Sequence, residues 1–221
     1  MSDHSHSQEE IGLRREPAGE RGRRRRELIL DTAAEMLVKE GPEGLNTNAL
    51  AARAGIAVCS VYQYFANKEA ILLALGQRYL EQMAENTVAA LQQDLSGLSM
   101  QEMVDRVVTP MIDFERSNPA FGHFTLGPEA GMAEGARRVD QEILTAIHAL
   151  LLRVRPGLED ADAWNIARVT KALYKGMSYL IHEEGDIPGP NLDASLDELK
   201  QVMAGYLEGR LGERVILMGA Q

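Results

Sequence analysis

Apolar residues return every three or four positions along most of the chain and nowhere alternate with polar ones long enough to suggest a strand. From Arg26 onward Leu28, Leu30, Ala33, Ala34, Leu37 and Val38 recur at near-helical spacing. Gly41-Pro42 stops the run, which predicts a first helix of about 15 residues. A short helix follows at Asn48–Ala54, with Asn46 or Thr47 as its cap, because a side-chain oxygen there can accept from an orphan backbone N–H. Gly55 ends it. Another short helix spans about Val58 to Phe65 and breaks at Ala66-Asn67, where Asn67 caps a long helix from Lys68 to about Asp94. Further on the pattern predicts helices near 99–117, 119–126, 128–155, 159–184 and 192–211. Turn residues separate them at Ser96-Gly97, Asn118-Pro119, Gly127-Pro128, Pro156-Gly157 and Gly185 to Pro190. The fold class is therefore all-α: a three-helix domain at 23–70, then a larger helical domain at 71–215, with the border inside a long helix instead of a linker. Residues 1–22 have little periodic apolar content and read as a disordered tail.

Residues 46–65, NTNALAARAGIAVCSVYQYF, have the side-chain sizes that two short helices meeting at a sharp angle require. Ala51 is small where the helices cross, and Gly55 suits a turn whose left-handed backbone would penalise a side chain. Leu50, Ile56, Val61 and Phe65 supply a shared apolar core. The set fits a helix-turn-helix, whose second helix enters the major groove of DNA. Aromatic residues make up only 5% of the chain, yet three of them stand in VYQYFANKE, residues 61–69. Val61 and Phe65 lie four apart on the core face. Tyr62 lies off that face and Tyr64 is intermediate, so a phenol there can donate to a phosphate while its ring packs on sugar or a thymine methyl. Lys68 opens the next helix, where its ammonium and the helix N-terminal N–H groups both favour a phosphate.

Charge sharpens this picture. The net charge is −10, but Arg14, Arg15, Arg21 and Arg23, Arg24, Arg25 and Arg26 cluster near the start while most of the acidic excess lies after residue 75. A local basic contact on an acidic body follows, and Arg23–Arg26 read as an arm along the DNA backbone or into an adjacent minor groove.

From Thr47 to Lys68 the chain resembles the DNA-binding signature of TetR/AcrR-family transcriptional regulators. The features that carry the likeness are Thr47 opening the second helix, Tyr62, the Tyr64-Phe65 step closing the third, and Asn67-Lys68 in the turn. The motif covers about residues 28–72; the remainder agrees only in its number of long helices. Two positions depart from the pattern: Ala57, where the third helix usually begins with Ser or Thr, and Cys59, where Gly, Pro or Ala is common. The resemblance implies that Thr47, Asn48, Ser60 and Tyr62 face DNA, and the expected contact set is Arg23–Arg26, Thr47, Asn48, Val58, Cys59, Ser60, Tyr62, Tyr64 and Lys68. Cys59 lies in the first helical turn, where the dipole lowers a thiol pKa; a small residue tolerated at a tight contact is preferred to a redox switch.

The resemblance also implies that the second domain binds an effector and dimerises. Broad apolar faces agree: Ile143, Ile147, Leu150 and Leu151; Val169, Leu173, Met177 and Ile181; Leu196, Leu199, Val202, Met203 and Tyr206. Two helices from each subunit can pair about a two-fold axis, as a palindromic site requires. A ligand pocket between the middle helices would draw on Met103, Val107, Met111, Phe114, Phe121, Phe124, Trp164, Tyr174 and Met177, with His123 and His148 as polar handles. Plain core packing is the alternative for each.

Other chemistries find little support. The histidines (His4, His6, His123, His148, His182) include no pair four apart on a helix, so no metal site is expected, and no motif calls for a cofactor or an enzyme. No apolar run reaches about 18 residues, so no membrane span is expected. The polar start MSDHSHSQEE and the lone Cys59 favour the cytoplasm. The expected function is a homodimeric repressor released from a palindromic operator by a small apolar or amphipathic ligand. The alternatives are a ligand-independent regulator or activator, or a DNA-tethered protein-interaction module.

Overall fold

In the computed structural model, residues 19–125, 134–182, 191–213 and 215 are described, and every regular element among them is a helix. These are α1 (Gly19–Gly44), α2 (Thr47–Arg53), α3 (Val58–Tyr62), α4 (Lys68–Leu91), α5 (Met100–Ser117), a 3-10 turn (Pro119–Phe121), α6 (Gly122–Thr125), α7 (Glu134–Val154), α8 (Asp160–His182) and α9 (Leu192–Leu211). The all-α expectation is borne out. The chain divides into two compact units between Tyr79 and Leu80, within α4, later than the border at 70/71 that sequence suggests. Most of the tail expected at 1–22, the Gly127-Pro128 break and the loop Gly185 to Pro190 lie outside the described residues.

In the first unit, the core is built from Ile29, Leu30, Ala33, Met36 and Leu37 of α1, Leu50 and Ala51 of α2, Val61, Phe65, and Ile71 and Leu75 of α4, all at most 2% exposed. The helix expected to begin at Arg26 begins at Gly19, so residues 19–22, assigned to the tail, are helical. An ion pair one turn apart, Arg24 to Glu20, supports that added turn. At the other end Gly41 adopts φ 70°, a backbone that side chains rarely take, and this breaks the helical path before Pro42. Arg78 of α4 ties this face together, donating to Glu27 at 2.9 Å and to Asp31 at 2.7 Å. Burial works against its charge, but the two carboxylates outweigh burial and hold its pKa above the ordinary arginine value.

In the second unit, α5 packs against α9 and α8, and α8 also packs against α7 and α9. Ser99 and Glu102 form a reciprocal capping box at the start of α5, at 2.8 and 3.2 Å, which satisfies two orphan N–H groups at once. Asn118 and Pro119 end α5 and start the 3-10 turn, where a proline lacks only an N–H that would be unsatisfied anyway. Backbone bonds of 3.0 Å, from Gly97 to Val215 and from Val215 to Leu98, close the loop before α5.

Candidate functional site

Local chemistry sets the angle between α2 and α3. Asn46, not Thr47, caps α2, its side chain accepting from the Ala49 N–H at 2.8 Å. Gly55 takes φ 64°, and the Ile56 N–H returns to the Ala51 carbonyl at 3.0 Å, which turns the chain. Leu50, Ala51, Val61 and Phe65 are sealed as expected, whereas Ile56 is half-buried. The third helix ends at Tyr62, short of the Phe65 that periodicity suggests. The Tyr64 and Phe65 N–H groups both bond the Val61 carbonyl at 3.0 Å, a tightened last turn that releases Phe65 from the helix and drops it into the core.

With Val61 sealed in the core, helical steps of roughly 100° put Cys59 nearly opposite it, with Tyr62 and Ser60 on the flanks. Exposure follows that geometry: Cys59 is exposed, Tyr62 is 40% exposed, and Val58 and Ser60 are half-buried. Asn48 is exposed in the first turn of α2. Thr47 Oγ1 and the Tyr62 hydroxyl share a 3.0 Å hydrogen bond, which joins the two helices on this outer face. Ala57 caps α3 without a side-chain bond, the consequence of the departure noted in sequence. Tyr64 is half-buried in the turn, and Lys68 is half-buried at the first position of α4. Asn67 caps α4 through the Ala70 N–H at 2.8 Å, as expected.

The arginine run differs from its expectation. Arg23–Arg26 lie within α1, not in an extended arm. Four consecutive helical residues point around most of the helix circumference, so they cannot all enter one groove. Arg24 pairs with Glu20, and Arg26 bonds Glu27 at 3.2 Å with its guanidinium 5.9 Å from the Phe65 ring centroid. Arg23 and Arg25 are exposed.

The second unit contains two adjoining clefts. One holds about 640 Å³ between Met103, Val107, Ile147, Leu150, Leu151, Met203 and their neighbours, and is almost wholly apolar. The other, about 990 Å³, is lined by Leu80, Met83, Phe121 and Phe124 together with Glu115, Arg137, Lys175 and Ser178. Both volumes include space open to solvent. Met111, Ile143, Lys171 and Tyr174 line both.

Of the residues that sequence assigns to a pocket, Met103, Val107, Met111, Phe121, Phe124 and Tyr174 line these clefts. Phe114, His123, His148, Trp164 and Met177 do not. Phe114 instead packs edge-on to Phe121 at 5.6 Å. The rings of His148 and Trp164 stack at 4.0 Å, and His148 Nε2 meets Asp160 Oδ1 at 2.9 Å in the first turn of α8. Met177 is fully buried core, and His123 is half-buried in α6.

Sequence reading missed the principal polar feature of the clefts. Glu115 on α5 is 1% exposed and accepts from the Tyr174 hydroxyl at 2.6 Å and from the Ser178 hydroxyl at 2.7 Å; His182 Nε2 lies 2.9 Å from it. Burial and the neighbouring Glu115 charge push the Tyr174 pKa far above the ordinary phenol value. The signal was present: Glu115 continues the apolar stripe of Val104, Val108, Met111 and Ile112, and Tyr174, Ser178 and His182 recur every four residues. Gly122 accommodates the His182 ring, since a Cβ there would stand 2.7 Å from its Cγ and Nδ1. Among the described residues, no cluster of His, Cys, Asp and Glu could hold a metal ion, and no helix is long and apolar enough to cross a membrane.

Comparison with known proteins agrees with this architecture. Residues 29–75 match the family described as "Bacterial regulatory proteins, tetR family", and residues 99–207 match "Tetracyclin repressor-like, C-terminal domain". Over 55 residues the chain is 44% identical to the tetracycline repressor protein class C of Escherichia coli; the match covers 25% of this chain and 25% of that relative. A TetR-family transcriptional regulator from Streptomyces coelicolor is 26% identical, with a TM-score of 0.56 over 85% of this chain and 99% of that one. The fatty acid degradation regulator FadR from Bacillus halodurans shares the fold at 16% identity, with a TM-score of 0.63 over 81% of this chain and 94% of that one. The head matched by one family model and the helical domain matched by the other follow in order along one all-α chain, which belongs to the TetR family of DNA-binding transcriptional regulators.

Proposed function

We propose that this chain is a homodimeric repressor that reads a palindromic operator with α2 and α3 of each subunit and leaves it when a small amphipathic molecule enters the clefts of the second unit. The observation that carries this reading is the outer face centred on Cys59, where Tyr62, Ser60, Asn48 and Thr47 stand outward while Val61 and Phe65 are sealed inside. Tyr62 and Ser60 would meet base edges or sugar; Val58 and Cys59 would pack closely; Lys68 and Tyr64 would hold phosphates. Arg23 and Arg25 add long-range attraction from α1.

The dimer reading rests on apolar stripes that the single chain leaves uncovered. On α8, Val169, Leu173, Gly176 and Leu180 are half-buried or exposed at alternating steps of four and three. On α9, Leu199, Val202 and Tyr206 do the same, with Val202 56% exposed. Paired with their copies, these helices would form a four-helix bundle. Helix α4 links the two activities within one element, because Lys68 opens it and Leu80, Met83, Thr87 and Leu91 line the clefts farther along. A ligand acts by as much as it prefers one arrangement of the two reading heads over the other. The protein would work in the cytoplasm, beside its operator.

Selection of bound sequences from random duplex DNA, with Tyr62→Ala beside the parent protein, tests the reading. One palindrome recovered by the parent and lost by the variant is the expected result. No enrichment at low and at moderate salt would overturn it and turn attention to protein partners of the second unit.

A further inference from the structure

The polar end of the second cleft specifies what kind of head group it can take. Glu115 is almost sealed, yet three side chains from α8 converge on its carboxylate: Tyr174 on Oε1, and Ser178 and His182 on Oε2. A carboxylate only accepts, so each of these contacts is donated to it. Tyr174 and Ser178 have one O–H apiece, and both are spent on Glu115. The other ring nitrogen of His182 packs against Gly122. At this cluster what remains for a visitor is acceptor capacity: lone pairs on the two hydroxyl oxygens and on the carboxylate. The cleft's own cationic donors act against this preference: Lys171, which is paired with Asp140, and Arg137 and Lys175, both exposed, where solvent weakens them. The adjoining cleft, lined by Met103, Val107, Ile147 and Leu150, offers an apolar wall with almost no polar surface.

We propose that these clefts select an amphiphile whose head is a hydrogen-bond donor, a hydroxyl or a protonated amine, docked on Glu115, Tyr174 and Ser178 with its apolar tail in the adjoining cleft. A carboxylate head is disfavoured at this cluster, because it would bring lone pairs and negative charge against Glu115 and two hydroxyls whose protons are already donated to it. This inference rests on the proposed ligand cleft and makes Glu115 its specificity-determining residue.

Four probes of eight carbons each test it on the full-length protein: octylamine, octan-1-ol, octanoate and n-octane, each titrated by thermal shift and by calorimetry. Octylamine and octanol are expected to bind at least about tenfold more tightly than octanoate. Octanoate binding as well as octylamine would overturn the donor-head assignment and point to Arg137 and Lys175. Equal binding by all four would overturn it in another way, leaving a cleft that reads tails only. Binding by none would remove the ligand cleft itself, and this proposal with it. Glu115→Gln, which keeps the side-chain shape but removes its charge and adds a donor, supplies the second measurement. It is expected to narrow the octylamine-to-octanoate ratio by several fold while circular dichroism stays unchanged, and an unaltered ratio would overturn the assignment.

Discussion

Replacing Gly122 by alanine sets two physical effects against each other. Its backbone, φ −55° and ψ −33°, is ordinary helix, so propensity alone promises a gain of about 0.4–1 kcal/mol. The surroundings say the opposite. The added Cβ would stand 2.7 Å from Cγ and Nδ1 of His182 and 2.9 Å from its Cβ. To restore a 3.4 Å contact the ring must withdraw by about 0.7 Å. A displacement of that size strains or breaks the 2.9 Å bond between His182 Nε2 and Glu115. Overpacking costs about 1–3 kcal/mol, and a weakened hydrogen bond to a buried carboxylate adds to it. The net expectation is a loss of about 1–3 kcal/mol, or a fall in Tm of about 2–10 °C for a chain of this size. Urea and thermal unfolding of the parent, Gly122→Ala, His182→Ala and the double variant form a complete cycle. The alanine should cost little once the imidazole is gone, which gives a coupling of at least about 1 kcal/mol. A Gly122→Ala protein as stable as its parent, or a cost that His182→Ala leaves untouched, would refute the reasoning.

Three further perturbations examine other parts of the molecule. Tyr62→Phe keeps the ring but removes the exposed bond to Thr47, so stability should fall by less than about 1 kcal/mol. In fluorescence anisotropy the operator affinity should fall further for Tyr62→Ala; parental affinity in that variant takes Tyr62 out of the interface. Lys68→Ala should weaken binding to all duplex sequences alike and reduce the slope of log K against log salt by about one unit, whereas an unchanged slope removes its phosphate contact. Tyr174 titrates well above its ordinary value of 10.0 in the folded protein, mainly through burial. The unfolded chain therefore loses this proton first, and its contribution to stability is complete below about pH 10 and declines as pH rises above it. Urea midpoints between pH 8 and 11 should fall less steeply in Tyr174→Phe than in the parent; identical slopes count against the shift.

How far the site could be read in advance depended on whether its causes were local. Gly55, Asn67 and the spacing of Leu50, Val61 and Phe65 announce the turn, the cap and the core of the head, because a positive φ, a capping oxygen and a buried face are each requirements of a few neighbouring residues. Helix ends were read less well. Arg23–Arg26 suggested an extended arm by composition, yet the turn added at Gly19 and the contact of Arg26 with Phe65 place them on a helix. His148 looked like a handle for a ligand, but its stacking partner Trp164 and its acceptor Asp160 come from the next helix.

The sequence by itself determined that the chain is helical, where the helix-turn-helix lies and which family it belongs to, since periodicity and turn residues act over a handful of positions. Only the tertiary structure decided that Glu115, far along the chain from Tyr174, Ser178 and His182, shares a buried site with them. A glutamate on an apolar stripe is costly to bury without donors, and those donors come from another helix whose register no local pattern specifies. The same holds for Gly122, whose missing side chain matters only because the imidazole from α8 occupies the space.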